Sequence, residues 1–139
     1  MGIALDHIRL HRPKLELAPP DWLEHLRFAG VSPNLLRGAD RHAYHILIAR
    51  FASKNVATAM AFDHGGDCGI YNTGTLAHAR GRGLATALTA LHVHDARARG
   101  CQTASLQSTE MAERVYAAVG FRDLGRFLEY VPPRRSSEP

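Results

Sequence analysis

The chain has 139 residues, 45% of them apolar and 22% charged, and 17 Lys and Arg against 13 Asp and Glu give a formal net charge of +4. That length suits one domain (residues 1–139) around one core, and the composition is that of a globular protein, not a disordered or fibrous one. No run approaches the ~20 apolar residues of a membrane span, and Asp6, His7 and Arg9 break the N-terminal stretch that a signal peptide would need, so a cytoplasmic protein is expected.

In chain order, residues 3–10 read as a short strand leading into the proline-bearing HRPKLELAPP. Asp21 is placed to cap a helix over WLEHLRFA, ended by Gly30, with Trp22, Leu23, Leu26 and Phe28 as its buried face. VSPNLLRGADR reads as irregular, with one helical turn after Ser32-Pro33. AYHILIARF then reads as a strand, Lys54-Asn55 as a turn, and VATAMAFD as the second strand of a hairpin. HGGD makes the next turn, into a third strand, CGIYNTGTL. Gly74 within it signals a bulge or the close approach of another backbone.

A loop of Arg80-Gly81-Arg82-Gly83 runs into a helix from about Leu84 to Arg99, whose Leu84, Leu88 and Leu91 fall on one face and which Gly100 ends. CQTASLQS alternates as a strand. Thr109 is a cap for a helix over EMAERVYAAV, stopped by Gly120. FRDLGRFLEYVP reads as a closing pair of short strands turning at Leu124-Gly125, and residues 132–139 as a flexible tail. The order strand, loop, helix, strand over 68–108 is a βαβ unit, so its strands should be parallel.

Cys68 and Cys101 lie far apart, without partners at metal-ligand spacing, and read as buried or half-buried thiols. The close histidine pairs, His42/His45 and His92/His94, have no acidic or cysteine companions; they read as surface or edge-strand residues, and no metal is expected. The basic balance would suit nucleic acid or a small anion. No basic stripe interleaved with aromatics accompanies it, so nucleic acid is the weaker reading.

The 80–85 loop has the chemistry of an anion cradle. A helix start collects unpaired N–H groups and the positive end of the helix dipole. Gly81 and Gly83 remove the Cβ atoms that would block a pyrophosphate, and Arg80 and Arg82 add charge. A P-loop would need a Gly-Lys-Ser/Thr ending that is absent, and the dinucleotide pattern fails at its third glycine, where Thr86 stands.

Arg80-Gly81-Arg82-Gly83-Leu84-Ala85 resembles Gln/Arg-x-x-Gly-x-Gly/Ala, the acyl-coenzyme A signature of the GNAT superfamily of N-acetyltransferases. LQSTEMAERVYAAVGF, residues 106–121, resembles that family's next strand, capped helix, tyrosine and Gly-Phe, in the same order. The resemblance covers about residues 43–131. It implies an α/β (α+β) GNAT fold: a mixed, mostly antiparallel sheet, splayed between two parallel strands and flanked by helices.

It also implies roles. Arg80, Gly81, Arg82, Gly83, Leu84 and Ala85 would hold the pyrophosphate of acetyl-CoA. The backbone of Gly74, Thr75 and Leu76 would pair with the pantetheine arm as an added strand. Thr109 would face that arm, and the Tyr116 hydroxyl would protonate the leaving thiolate. The acceptor amine would attack the thioester directly in one ternary complex, its identity left open. Asp63, His64, Tyr71 and His78 are candidates for the proton acceptor, beside water. Residues 1–42 supply one clear helix where the family uses two, so the acceptor wall is reduced, completed by a second subunit in a homodimer, or lost. In the last case a non-catalytic acyl-CoA-binding module of the same fold is the alternative.

Overall fold

The computed structural model describes all residues except 35, 36, 127, 129, 131 and 134–139. Its strands are β1 (Gly2–Ala4), β2 (Leu17–Ala18), β3 (Tyr44–Phe51), β4 (Lys54–His64), β5 (Asp67–Thr75) and β6 (Thr103–Leu106); its helices are α1 (Trp22–Ala29), α2 (Leu84–Arg99) and α3 (Glu113–Val119). The six strands form one sheet in the order β1-β6-β5-β4-β3-β2. Only β5 and β6 run parallel, as the βαβ reading requires; every other pairing is antiparallel.

β4 is buried on both faces, and its alternation divides the core. Ala57 and Ala59 pack with Leu84 and Leu88 of α2, and Ala61 with Ala90 and Val93. Small residues here let α2 lie close to the sheet. Thr58 and Met60 point the other way, toward His25 and Phe28 of α1. So α1 and α2 cover opposite faces, and α3 packs beside α2 around Tyr116 and Val119.

Helix ends follow the sequence signals. Asp21 accepts the Glu24 N–H at 3.0 Å, and Gly30 closes α1 in the left-handed region, φ 70°. The buried face of α1 differs from the expectation: Leu23 is 62% exposed while His25 is fully buried. Strict spacing from Trp22 (i+3, i+4) selects 25 and 26 and leaves 23 outside. The β3–β4 turn is Ala52-Ser53, with Lys54 and Asn55 already in β4. The N-terminal strand is shorter than expected, giving way to a 3-10 turn at Leu5–His7.

No closing pair of strands forms among the described residues after α3. Arg122 makes a single bridge to Gly2, and β1 takes the sheet edge beside β6. His92 is also not a surface residue: it is 1% exposed, and its Nε2–H donates to Ala59 O at 2.9 Å. Residues 134–139 of the expected tail lie outside the described residues. No described helix is long and apolar enough to cross a membrane.

Candidate active site

The parallel ladder runs from Asp67↔Thr103 to Ile70↔Leu106 and stops there. β5 continues to Thr75 with β4 as its neighbour, so a cleft opens between residues 71–75 and the end of β6. The divergence has a local cause. The β4–β5 register passes from Met60↔Tyr71 to Thr58↔Gly74, which leaves one extra residue in β5, and Asn72 takes φ 51°. Asparagine tolerates that region better than most residues, and a bulge bends and twists its strand. Asn72 is the feature the sequence reading missed, although Asn-Thr-Gly inside a strand is its signal.

Gly74 is needed for a different contact. A Cβ there would collide with Phe28 O and lie 2.8 Å from Ala29 Cα, so the C-terminal backbone of α1 presses directly on β5. At the end of β5, Thr75 O accepts from Arg80 Nε at 3.1 Å. Leu76 N–H donates to Val56 O at 2.8 Å and Leu76 O accepts from Ala79 N–H at 2.9 Å. Both backbone groups of Leu76 therefore have partners, which sets it apart from the edge expected of Gly74, Thr75 and Leu76.

The cradle follows. A 3-10 turn, Ala77–Ala79, buries Ala79 against Val56 and Leu84 and leaves Arg80, Gly81, Arg82 and Gly83 exposed. Gly81 and Gly83 are left-handed, at φ 78° and 75°, and a Cβ on either would project into open space. Gly83 is the N-cap of α2, without a side-chain cap, and no acidic residue stands in the first turn. The first amides of a 16-residue helix thus face outward beside two guanidinium groups, as an anion site requires. Leu84 is buried as the anchor of that turn, and Ala85 follows it half-buried.

Tyr116 belongs to the core cluster that also holds Ile70 and Leu106, the last pair of the ladder. It is 9% exposed, meets Phe121 edge-on with centroids 6.3 Å apart, and its hydroxyl bonds to no described residue. Thr109 precedes a short 3-10 turn, Glu110–Ala112, and its carbonyl accepts Ala112 N–H at 3.1 Å. Its side chain makes no capping bond, contrary to the expectation of a capped helix; it lines a cavity of about 780 Å³ with Gln107, Ser108 and Glu113.

The proton-acceptor candidates separate by position. β4 runs antiparallel to β5, so its C-terminal residues Asp63 and His64 pair with Cys68 and Asp67, at the end away from the cleft. Asp63 accepts from Arg99 at 2.6 and 2.8 Å, which holds its carboxyl below the usual range. Tyr71 is the first residue past the ladder, half-exposed, its ring laid over Gly69 on a cavity of about 420 Å³ shared with Leu106 and Gln107. His78 is exposed beside the cradle. Cys68 is fully buried, and burial pushes its thiol up to about 12. Among the described residues no group of three His, Cys, Asp or Glu could hold a metal ion.

The model of the acetyltransferase (GNAT) family matches residues 9–121. Solved structures with the same fold include an acetyltransferase from Trypanosoma brucei (TM-score 0.68, 21% identity, covering 86% of this chain and 99% of that one). A GCN5-related N-acetyltransferase from Kribbella flavida matches with TM-score 0.67 and 18% identity over 87% of this chain but 52% of its own length. A protein from Clostridium acetobutylicum solved with acetyl-CoA matches with TM-score 0.57 and 22% identity, over 78% of this chain and 84% of that one. No protein with a curated description matches the sequence.

Proposed function

Because this chain belongs to the acetyltransferase (GNAT) family, we propose that it moves an acetyl group from acetyl-CoA to a primary amine by direct attack in one ternary complex. The observation that carries the reading is a β5 edge that, among the described residues, has no strand partner beyond Ile70 and ends in an exposed helix start flanked by Arg80 and Arg82. An extended pantetheine arm pairs along Gly74 and Thr75 as a strand would, and its pyrophosphate meets the amides of residues 82–85. The acetyl group then lies in the cleft above Ile70, Leu106 and Tyr116.

There the amine nitrogen attacks the thioester carbonyl and a C–N bond forms. The C–S bond breaks, the thiolate takes a proton from the Tyr116 hydroxyl, and the amine gives its proton to water, from which Tyr116 is reprotonated. Neither thiol becomes acetylated in this scheme: Cys68 is buried and held neutral, and Cys101 precedes β6, at the end of the ladder away from the cleft.

A second reading, a non-catalytic acyl-CoA binder, is favoured by the single α-helix that precedes β3 among the described residues. The experiment that separates them screens an amine library for thiol release from acetyl-CoA, with a coenzyme-only control and calorimetry alongside. Thiol release with one amine class supports the transferase. Binding without release by any amine favours the second reading, and absence of acetyl-CoA binding by the folded protein removes both.

A further inference from the structure

The end of the β3–β4 hairpin lies against the cradle. The β3–β4 register passes from Ala49↔Ala57 to Arg50↔Asn55, so Val56 is an extra residue in β4. Its carbonyl receives the Leu76 N–H, and its side chain packs with Ala79 and Leu84 on both sides of the glycine loop. A bulge increases local twist. The hairpin then closes in a two-residue turn, Ala52 (φ 52°) and Ser53 (φ 66°), both left-handed without being glycine. Phe51, directly before that turn, is 42% exposed, and the Arg82 guanidinium lies 4.5 Å from its ring centroid.

Among the described residues Arg82 has no carboxylate partner, whereas Arg80 is bonded to Thr75 O. A guanidinium stacked on a ring is held by its face, and its N–H donors lie in its plane, free for a bidentate oxyanion. We infer that Phe51 is a positioning residue for coenzyme binding, fixing Arg82 beside the α2 N-terminus with its donors open to a phosphate. This rests on the acetyl-CoA reading above and adds a residue outside the glycine loop.

Calorimetry with acetyl-CoA on the full chain tests it as a double-mutant cycle. Phe51→Leu should weaken binding about threefold and Arg82→Gln about tenfold. The double variant should bind no more weakly than Arg82→Gln alone, and Phe51→Tyr, which keeps a ring face, should bind within about twofold of wild type. A second measurement needs no ligand: the Arg82 Nε–H resonance, shielded by the ring, should move downfield in Phe51→Leu. Losses that multiply in the double variant, or an unmoved resonance, overturn the inference while leaving the acetyl-CoA reading intact. A folded wild type that does not bind acetyl-CoA overturns both.

Discussion

At Tyr116 the ring and the hydroxyl have separate jobs. The ring belongs to the core cluster of Ile70 and Leu106, and it contacts Phe121 whatever the hydroxyl does. The hydroxyl is wanted only as the thiolate develops charge, so its removal should appear in kcat and leave acetyl-CoA affinity nearly unchanged. Proton donation of this kind is worth ~10²–10⁴-fold. Tyr116→Phe should therefore turn over an identified amine at least about tenfold more slowly, while calorimetry gives wild-type binding. Equal kcat values, with chemistry rate-limiting, would leave the residue a packing role alone. Gly74 makes the opposite demand: a methyl group there meets the backbone of Phe28 and Ala29, which has no rotamer by which to yield. Gly74→Ala should cost about 1–3 kcal/mol in urea unfolding, and wild-type stability would mean that α1 shifts off β5 without penalty.

Among the elements, α1 and α2 start differently for a reason. α1 has a side-chain cap, Asp21, on an exposed end that has only to be stable. Asp21→Ala should cost about 1 kcal/mol, a few degrees in Tm, because the Glu24 amide loses its acceptor. α2 starts on a left-handed glycine with no cap, which leaves its first amides for a ligand at some cost in stability. Replacing Gly83 with Val places a side chain in the open space where phosphate oxygens would lie and in a φ that branched residues resist. The expected result is a loss of acetyl-CoA affinity of tenfold or more, on the order of 1.4 kcal/mol. A variant that melts lower but binds as wild type would remove the cradle from the coenzyme site.

Over the whole molecule, two buried histidines couple stability to pH. His25 lies between α1 and β4 with its Nδ1 2.6 Å from Thr58 Oγ1, and because that hydroxyl donates to Leu47 O, the ring nitrogen is the donor. Its Nε2 is buried without a partner among the described residues. His92 joins α2 to β4 through Ala59 O. Burial pushes both down to about 4 from an ordinary 6.5. Between those values the unfolded chain binds more protons than the folded one, so stability is full above pH 6.5 and is lost as pH falls toward 4. Each site accounts for on the order of 2–3 kcal/mol. Urea midpoints should fall between pH 7 and pH 5, and His92→Gln, which retains a donor near Ala59 O, should flatten the slope. An unchanged slope would place the acid sensitivity elsewhere.

Local chemistry decided much of this molecule before any packing. The cap and stop of α1, the stop of α2, the Gly65-Gly66 turn and the left-handed glycines of the cradle all depend on residues within a few positions of one another. Such signals act through φ preferences and short-range hydrogen bonds, so they are legible in a string of letters. The remaining features join distant segments. β1 pairs with β6 across about a hundred residues, Gly74 answers to the backbone of α1, and Phe51 meets Arg82 across about thirty residues. His25 and His92 looked like any other histidines until the two faces of β4 enclosed them. Sequence specified the cradle because a helix start is local; tertiary structure decided what backs it and what stands opposite, because burial and contact exist only once the sheet has closed.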